Sequence, residues 1–314
     1  MSAVKSSELI AHLRSTLFAM LSETRARFED GDAAAMERFL DSFGSPPSGA
    51  GYKYIPPAAR AACSSVLQRD PEAGRRFLFA AVLEAMDRSL AAPRFQQLPA
   101  RVLAHQLRHY ERILVQSEQT IAVCQLENDL FLKEFGLAAL RLYAGGSNLI
   151  DANAGIGRSI VWSNGLSDIP RRLALFIRLG GFRPYFDIHA HKFYMEEFNE
   201  EGRNECYRCC AELYAFHPEV LGMFAGSWFY DPALAAISPR LAYLREVPER
   251  GGAHVLFGCY DEGATRNALA KSATRRQLYE AGKYKPAAYT LVWPRARQLA
   301  WADRHAGKAG KGQP

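Results

Sequence analysis

A chain of 314 residues with 48% hydrophobic and 23% charged side chains has the balance of a folded globular protein, which excludes a disordered or low-complexity one. Its formal net charge of +6 suits an anionic substrate or a nucleic acid, but Arg and Lys mix with Asp and Glu almost everywhere, and no basic stripe is interleaved with aromatics. The six cysteines lack the spacing of a disulfide framework, no run approaches the ~18 apolar residues that span a bilayer, and the first residues carry no signal-peptide core. The expectation is a soluble cytoplasmic protein with no membrane or nucleic-acid partner.

Residues 1–135 read as a helical region. Leu9, Leu13, Leu17, Met20 and Leu21 recur at helical spacing between Ser6 and Phe28, with Ser7 as a cap. Further helices are expected over Ala33–Phe43, Pro57–Gln68, Pro71–Leu90 and Pro99–Phe135, the last broken near Cys124. A loop rich in Gly, Pro and Ser (residues 44–57) separates the second from the third. His105 and His109 lie four apart, a spacing that can bring two imidazoles to one metal. Gln106 stands where a zincin motif has its catalytic Glu, so packed or surface histidines are the better reading. This region is expected to act as a support, a lid or a surface for a partner, including a second copy of the chain.

Residues 136–304 change pattern, and residues 305–314 form a basic tail expected to be disordered. Leu137–Tyr143 and Ser159–Trp162 are short strand candidates around a loop rich in Gly and Asn. A helix runs from a cap at Asp168 to about Leu179. Strands at Pro184–His189, Val220–Ser227, Ala253–Cys259 and Ala287–Trp293 then alternate with helices at Glu200–Phe216, Ala233–Arg245, Thr265–Ala281 and Arg295–Ala302. This alternation predicts an α/β half, a mostly parallel sheet covered by helices, after the helical N-terminal half. Ligands of such sheets bind beyond the carboxyl ends of the strands.

Three of those ends carry polar groups: His189 and His191; Ser227, Tyr230 and Asp231; and Cys259, Asp261 and Glu262. Asp187, His189 and His191 alternate at period two, so they share one side while the strand lasts. They suit either a divalent metal, with Glu196 or Glu197 as a further ligand, or a metal-free hydrogen-bonding role. The five residues resemble the strand end of amidohydrolases, but too little chain follows for the rest of that barrel. Ser227, Trp228 and Tyr230 follow the next strand as pocket contacts, and Asp231 is a candidate general base or a turn residue. Cys206, Cys209 and Cys210 share a helix without a second cysteine pair and read as small buried residues.

Residues 253–293 run strand, polar loop, helix ending in Leu278-Tyr279-Glu280-Ala281-Gly282-Lys283-Tyr284, then strand. This segment resembles the last third of GNAT-type acyltransferases. The resemblance implies an acyl-CoA or acyl-carrier thioester as co-substrate, with Tyr279 protonating the departing thiolate. The family's pyrophosphate loop has no counterpart, Arg250-Gly251-Gly252-Ala253 being the nearest text. Arg275 and Arg276 are left to serve an anionic ligand. The expected function is therefore acyl transfer from a thioester to an amine on a small molecule, with Tyr279 as acid and Asp231 or His189 as base. His191, Ser227, Trp228, Tyr230, Arg275 and Arg276 are its expected substrate contacts. The alternatives are a metal-dependent hydrolase or oxygenase on Asp187, His189 and His191, and a binding or scaffold protein without activity.

Overall fold

A computed structural model describes residues 3–44, 47 and 49–306. The side chain of Ser7 and the tail from Lys308 to Pro314 lie outside what it describes. Two compact units result: Met1–Asn153 with Ala190–Glu196, and Ala154–His189 with Glu197–Pro314. Among the described residues, no helix is long and apolar enough to cross a membrane.

The first unit is helical up to a terminal hairpin. Its helices are α1 (Ala3–Arg25), α2 (Asp32–Asp41), α3 (Pro57–Arg69), α4 (Pro71–Ala91), α5 (Pro93–Gln96), α6 (Ala100–Val115), α7 (Ser117–Ala122) and α8 (Asp129–Ala138). Pro57, Pro71 and Pro93 each open a helix, where the missing N–H costs nothing. Helix α4 runs through the core, with Phe77 to Leu83 buried without interruption. The last carbonyls of α8 are met by side chains: Gln106 donates to Leu137, Tyr110 donates to Ala138, and so does Ser89. The chain then turns into β1 (Leu142–Gly145) and β2 (Asn148–Asp151), an antiparallel pair closed by Gly146 at φ 65°. Leu137 and Ala138 thus end a helix, where a strand was expected from 137 to 143.

The second unit holds α9 (Ser159–Trp162), α10 (Ile169–Arg178), β3 (Phe186–Ala190), α11 (Glu200–Phe216), β4 (Gly222–Ser227), α12 (Leu234–Ile237), α13 (Tyr243–Arg250), β5 (His254–Cys259), α14 (Glu262–Ala270), α15 (Ala273–Glu280), β6 (Ala288–Pro294) and α16 (Arg295–Ala306). Ser159–Trp162 is a helical turn, not a strand; four apolar residues are too few for their period to decide between the two.

The sheet is mixed and not mostly parallel. β3 and β4 pair parallel, while β4 with β6 and β5 with β6 pair antiparallel. Strands β3, β4 and β5 do run the same way, as the alternation implies. The exception is β6, which enters between β4 and β5 and makes both of its ladders antiparallel. The connection before it is two helices, where the sequence pattern suggested one. Ser272 accepts a hydrogen bond from the Arg275 amide and starts α15 as a new helix. The period of a strand shows where it lies and not which way it runs, so the alternation alone does not exclude an antiparallel entry.

Each face of this sheet is covered differently. Phe186, Met223, Ala225, Leu291 and Trp293 face α11 and α16, with Tyr214 stacked on Phe186 and Tyr207 set edge-on to Trp293. The other face carries Leu256, Val292 and Phe224 against Ile160, Leu175, Phe176 and Leu179 of α9 and α10. Arg172 fastens those helices to β5, donating to Asp168, the Ile160 and Phe257 carbonyls and Ser163 at 2.7–2.9 Å.

Candidate functional site

Parallel register between β3 and β4 runs through Phe186↔Met223 and Asp187↔Phe224 and is not continued. Both strands nevertheless go on, β3 to Ala190 and β4 to Ser227. Their carboxyl-terminal halves therefore face each other without the ladder that joins their first halves. Strand alternation puts Asp187, His189, Phe224 and Gly226 on one face. In register, Gly226 is the residue opposite His189. Gly226 is exposed, and a Cβ built on it meets no atom within 4 Å. The face that α9 and α10 cover at Phe224 is thus open one step further on, between an imidazole and a glycine.

Asp187 and His189 stay together, with His189 Nε2 3.5 Å from Asp187 Oδ2 and both side chains 21% exposed. A carboxylate beside an imidazole orients the ring. Beyond β5, two strand spacings (about 10 Å) from β4, a cavity of about 630 Å³ opens among Ser159, Trp162, Phe257 and Tyr260.

Other residues named from the sequence are engaged in fixing the turn after β4. Ser227 Oγ accepts from the Phe229 amide at 3.2 Å. Trp228 is buried under the Arg275 guanidinium, 4.8 Å from its ring centre. Arg275 also donates to the Ala268 carbonyl and to Ser238 Oγ, at 2.5 and 2.9 Å. Arg276 donates to the Leu269 and Ala270 carbonyls at the end of α14. Both arginines thus tie α14 to α15. Asp231 is buried and accepts from the amides of Ala233 and Ala287 at 3.0 and 3.4 Å. Burial, with Asp231 adding its negative charge, raises the nearby Tyr284 phenol. Tyr279 is 43% exposed near the end of α15. Gly282, at φ 68°, closes that helix, and Lys283 N reaches the Leu278 carbonyl at 2.8 Å.

Tyr230 has a partner that the sequence did not reveal. Arg203, on α11, is buried and donates to the hydroxyls of Tyr230 and, at 3.0 Å, of Tyr207. Burial is the main influence on both phenols and raises them, so they stay neutral around the guanidinium. Cys206, Cys209 and Cys210 line the same buried side of α11, and burial raises the Cys210 thiol. A buried neutral thiol there is packing material rather than a nucleophile.

His191 belongs to the first unit and is wholly buried there. Its Nε2 lies 3.5 Å from Glu134 Oε1, while His109 Nε2 lies 2.9 Å from Glu134 Oε2. Arg112 contacts the same carboxylate, and the Tyr194 hydroxyl is 2.7 Å from His109 Nδ1. Burial dominates at His109 and lowers it to about 4 despite the pull of Glu134. The neutral ring therefore accepts from Tyr194 and turns its Nε2 proton to Glu134, a tautomer assigned from the network. Burial opposes the Glu134 charge, but His109, His191 and Arg112 more than offset it and hold the carboxyl low. Two imidazoles and a carboxylate are metal-ligand types, yet Arg112 already supplies the cation. Of the proposed metal ligands Asp187, His189 and His191, the first two sit side by side.

The sequence reading missed Glu134, Arg112, Arg203 and Gly226. Glu134 had a signal, a carboxylate within the apolar run Leu130–Leu137. Gly226 had one too, a glycine late in an otherwise apolar strand, which marks close approach of another group.

No family model matches the chain, and no curated protein matches it. Among solved structures, one described as the crystal structure of an acyltransferase in complex with decanoyl-CoA aligns with 82% of this chain and 75% of its own, at 12% identity and a TM-score of 0.43. A superposition at that level says nothing of activity.

Proposed function

We propose that this protein transfers an acyl group from a CoA or carrier-protein thioester to an amine, on the open face beside β3 and β4. The observation that carries the reading is the loss of pairing between two parallel strands that both continue. Facing strand edges without a mutual ladder suit an extended ligand that brings its own amides. The pantetheine arm of a thioester is such a ligand, uncharged and carrying two amides. Gly226 leaves room on the face where the thioester carbon would lie, and His189 stands across from it.

In this account His189 is the base and Asp187 holds its ring. The amine nitrogen attacks the thioester carbonyl carbon and gives its proton to His189. The carbon–sulfur bond then breaks, and the thiolate leaves with the electron pair. Tyr279 is the acid that the GNAT-type resemblance implies for that thiolate. Asp231, whose oxygens already accept two backbone amides, is the weaker choice of base.

The test is thiol release from acyl-CoA of graded chain length, with a panel of small primary amines. Amine-dependent release is the expected result. Protein that neither binds acyl-CoA nor releases thiol with any amine would contradict the reading and favour a non-enzymatic role.

A further inference from the structure

A cavity lies at the opposite ends of the same strands. It measures about 940 Å³ and is lined by Arg178, His254, Arg295 and Arg297, with Leu179 and Leu221 among its apolar walls. Arg178 closes α10, His254 opens β5, and Arg295 and Arg297 lie in the first turn of α16. Leu221 directly precedes β4, so this cavity is a strand length away from Ser227 and the open face described above.

Four basic side chains converge here without a carboxylate. Among the described residues no ion pair or hydrogen bond engages the Arg178 or Arg297 side chain. Arg295 donates to the Pro218 carbonyl and lies over the Tyr214 ring. The first turn of α16 contains no acid. Arginines there oppose the positive end of the helix dipole, a placement that is unfavourable unless an anion joins them. Pro294, just before the helix, has no side-chain acceptor for the first-turn amides, of which that of Arg295 donates to the Leu221 carbonyl at 2.8 Å. Burial lowers His254, and the charges of Arg178 and Arg297 lower it further, so the cavity already repels added positive charge.

We infer that this cavity binds a phosphorylated small molecule, its phosphate held by Arg178, Arg297 and the first turn of α16 and its apolar body against Leu179 and Leu221. Arginine forks and helix amides are the donors that phosphate oxygens take. The site is independent of the acyl-transfer reading, and either can fail without the other.

The experiment is calorimetric titration of the full-length protein with AMP, inorganic pyrophosphate and adenosine at low ionic strength. AMP and pyrophosphate are expected to bind, adenosine is not, and added salt is expected to weaken binding. The Arg178→Ala/Arg297→Ala variant, altered only at exposed side chains, is expected to bind AMP at least about tenfold more weakly. Arg76→Ala, whose charge pairs with Glu72 elsewhere, serves as the control and should bind as wild type does. Failure of both phosphates to bind, adenosine binding as well as AMP, or unchanged affinity in the double variant would overturn the inference.

Discussion

Glu134→Ala is expected to cost about 3–5 kcal/mol of stability, the range for removing one partner of a buried charge network. Glu134 is completely buried and is the carboxylate that Arg112, His109 and His191 share. Without it a largely buried guanidinium keeps its charge and two imidazoles lose their acceptor. Residues 190–196 should loosen as well, because they are held by His191, by Tyr194 on His109, and by the Ala190 carbonyl on Lys133. Urea unfolding measures the cost, and a loss below about 1 kcal/mol would show that the network is not a unit.

The same network sets an acid limit. The Glu134 carboxyl is lower folded than unfolded, so its contribution is present above the ordinary carboxylate range and is lost as pH falls through its folded value. His109 is also lowered, from 6.5 to about 4, and works in the same direction. Below pH 6.5 the unfolded chain gains a proton that folded His109 refuses, so stability falls between pH 6.5 and 4. Wild-type melting temperature should be flat above pH 7 and decline below 6.5, with a shallower decline in His109→Gln.

His189→Ala is expected to lower kcat about 10²- to 10⁴-fold, the usual worth of a positioned base, with little change in melting temperature. The side chain is part exposed at a strand end, and its carboxylate neighbour Asp187 is part exposed too. Asp187→Asn keeps the shape but removes the charge that orients the ring, so it should lower kcat less than His189→Ala does. Equal activity of His189→Ala and wild type would remove His189 as the base and leave Asp231 to be tested.

Much of this arrangement is legible in the sequence because it depends on local pattern. The helices of the first unit follow from amphipathic spacing and from prolines that open them, and Asp187 and His189 pair because strands alternate. What escapes is what depends on distant contacts. His105 and His109 look alike in sequence, yet His109 alone is buried on Glu134. The break between α14 and α15 turns on Ser272, one capping residue inside an otherwise continuous helical pattern, and the direction of β6 leaves no local mark. The hairpin β1–β2 was hidden in a stretch whose glycines and asparagines read as loop. His191 lies just past the end of β3, so the alternation that unites Asp187 with His189 does not reach it.

The most direct test of the acyl-transfer account is acyl-CoA binding to Gly226→Val, measured beside wild type by calorimetry. A Cβ at Gly226 meets no protein atom, and valine suits a strand, so the variant should fold with unchanged melting temperature. If the thioester lies across that position from His189, the added isopropyl group should abolish acyl-CoA binding while AMP binding at the Arg178 cavity persists. Acyl-CoA binding to Gly226→Val with wild-type affinity would contradict the account, because the open face beside β3 and β4 would then not be where the thioester sits.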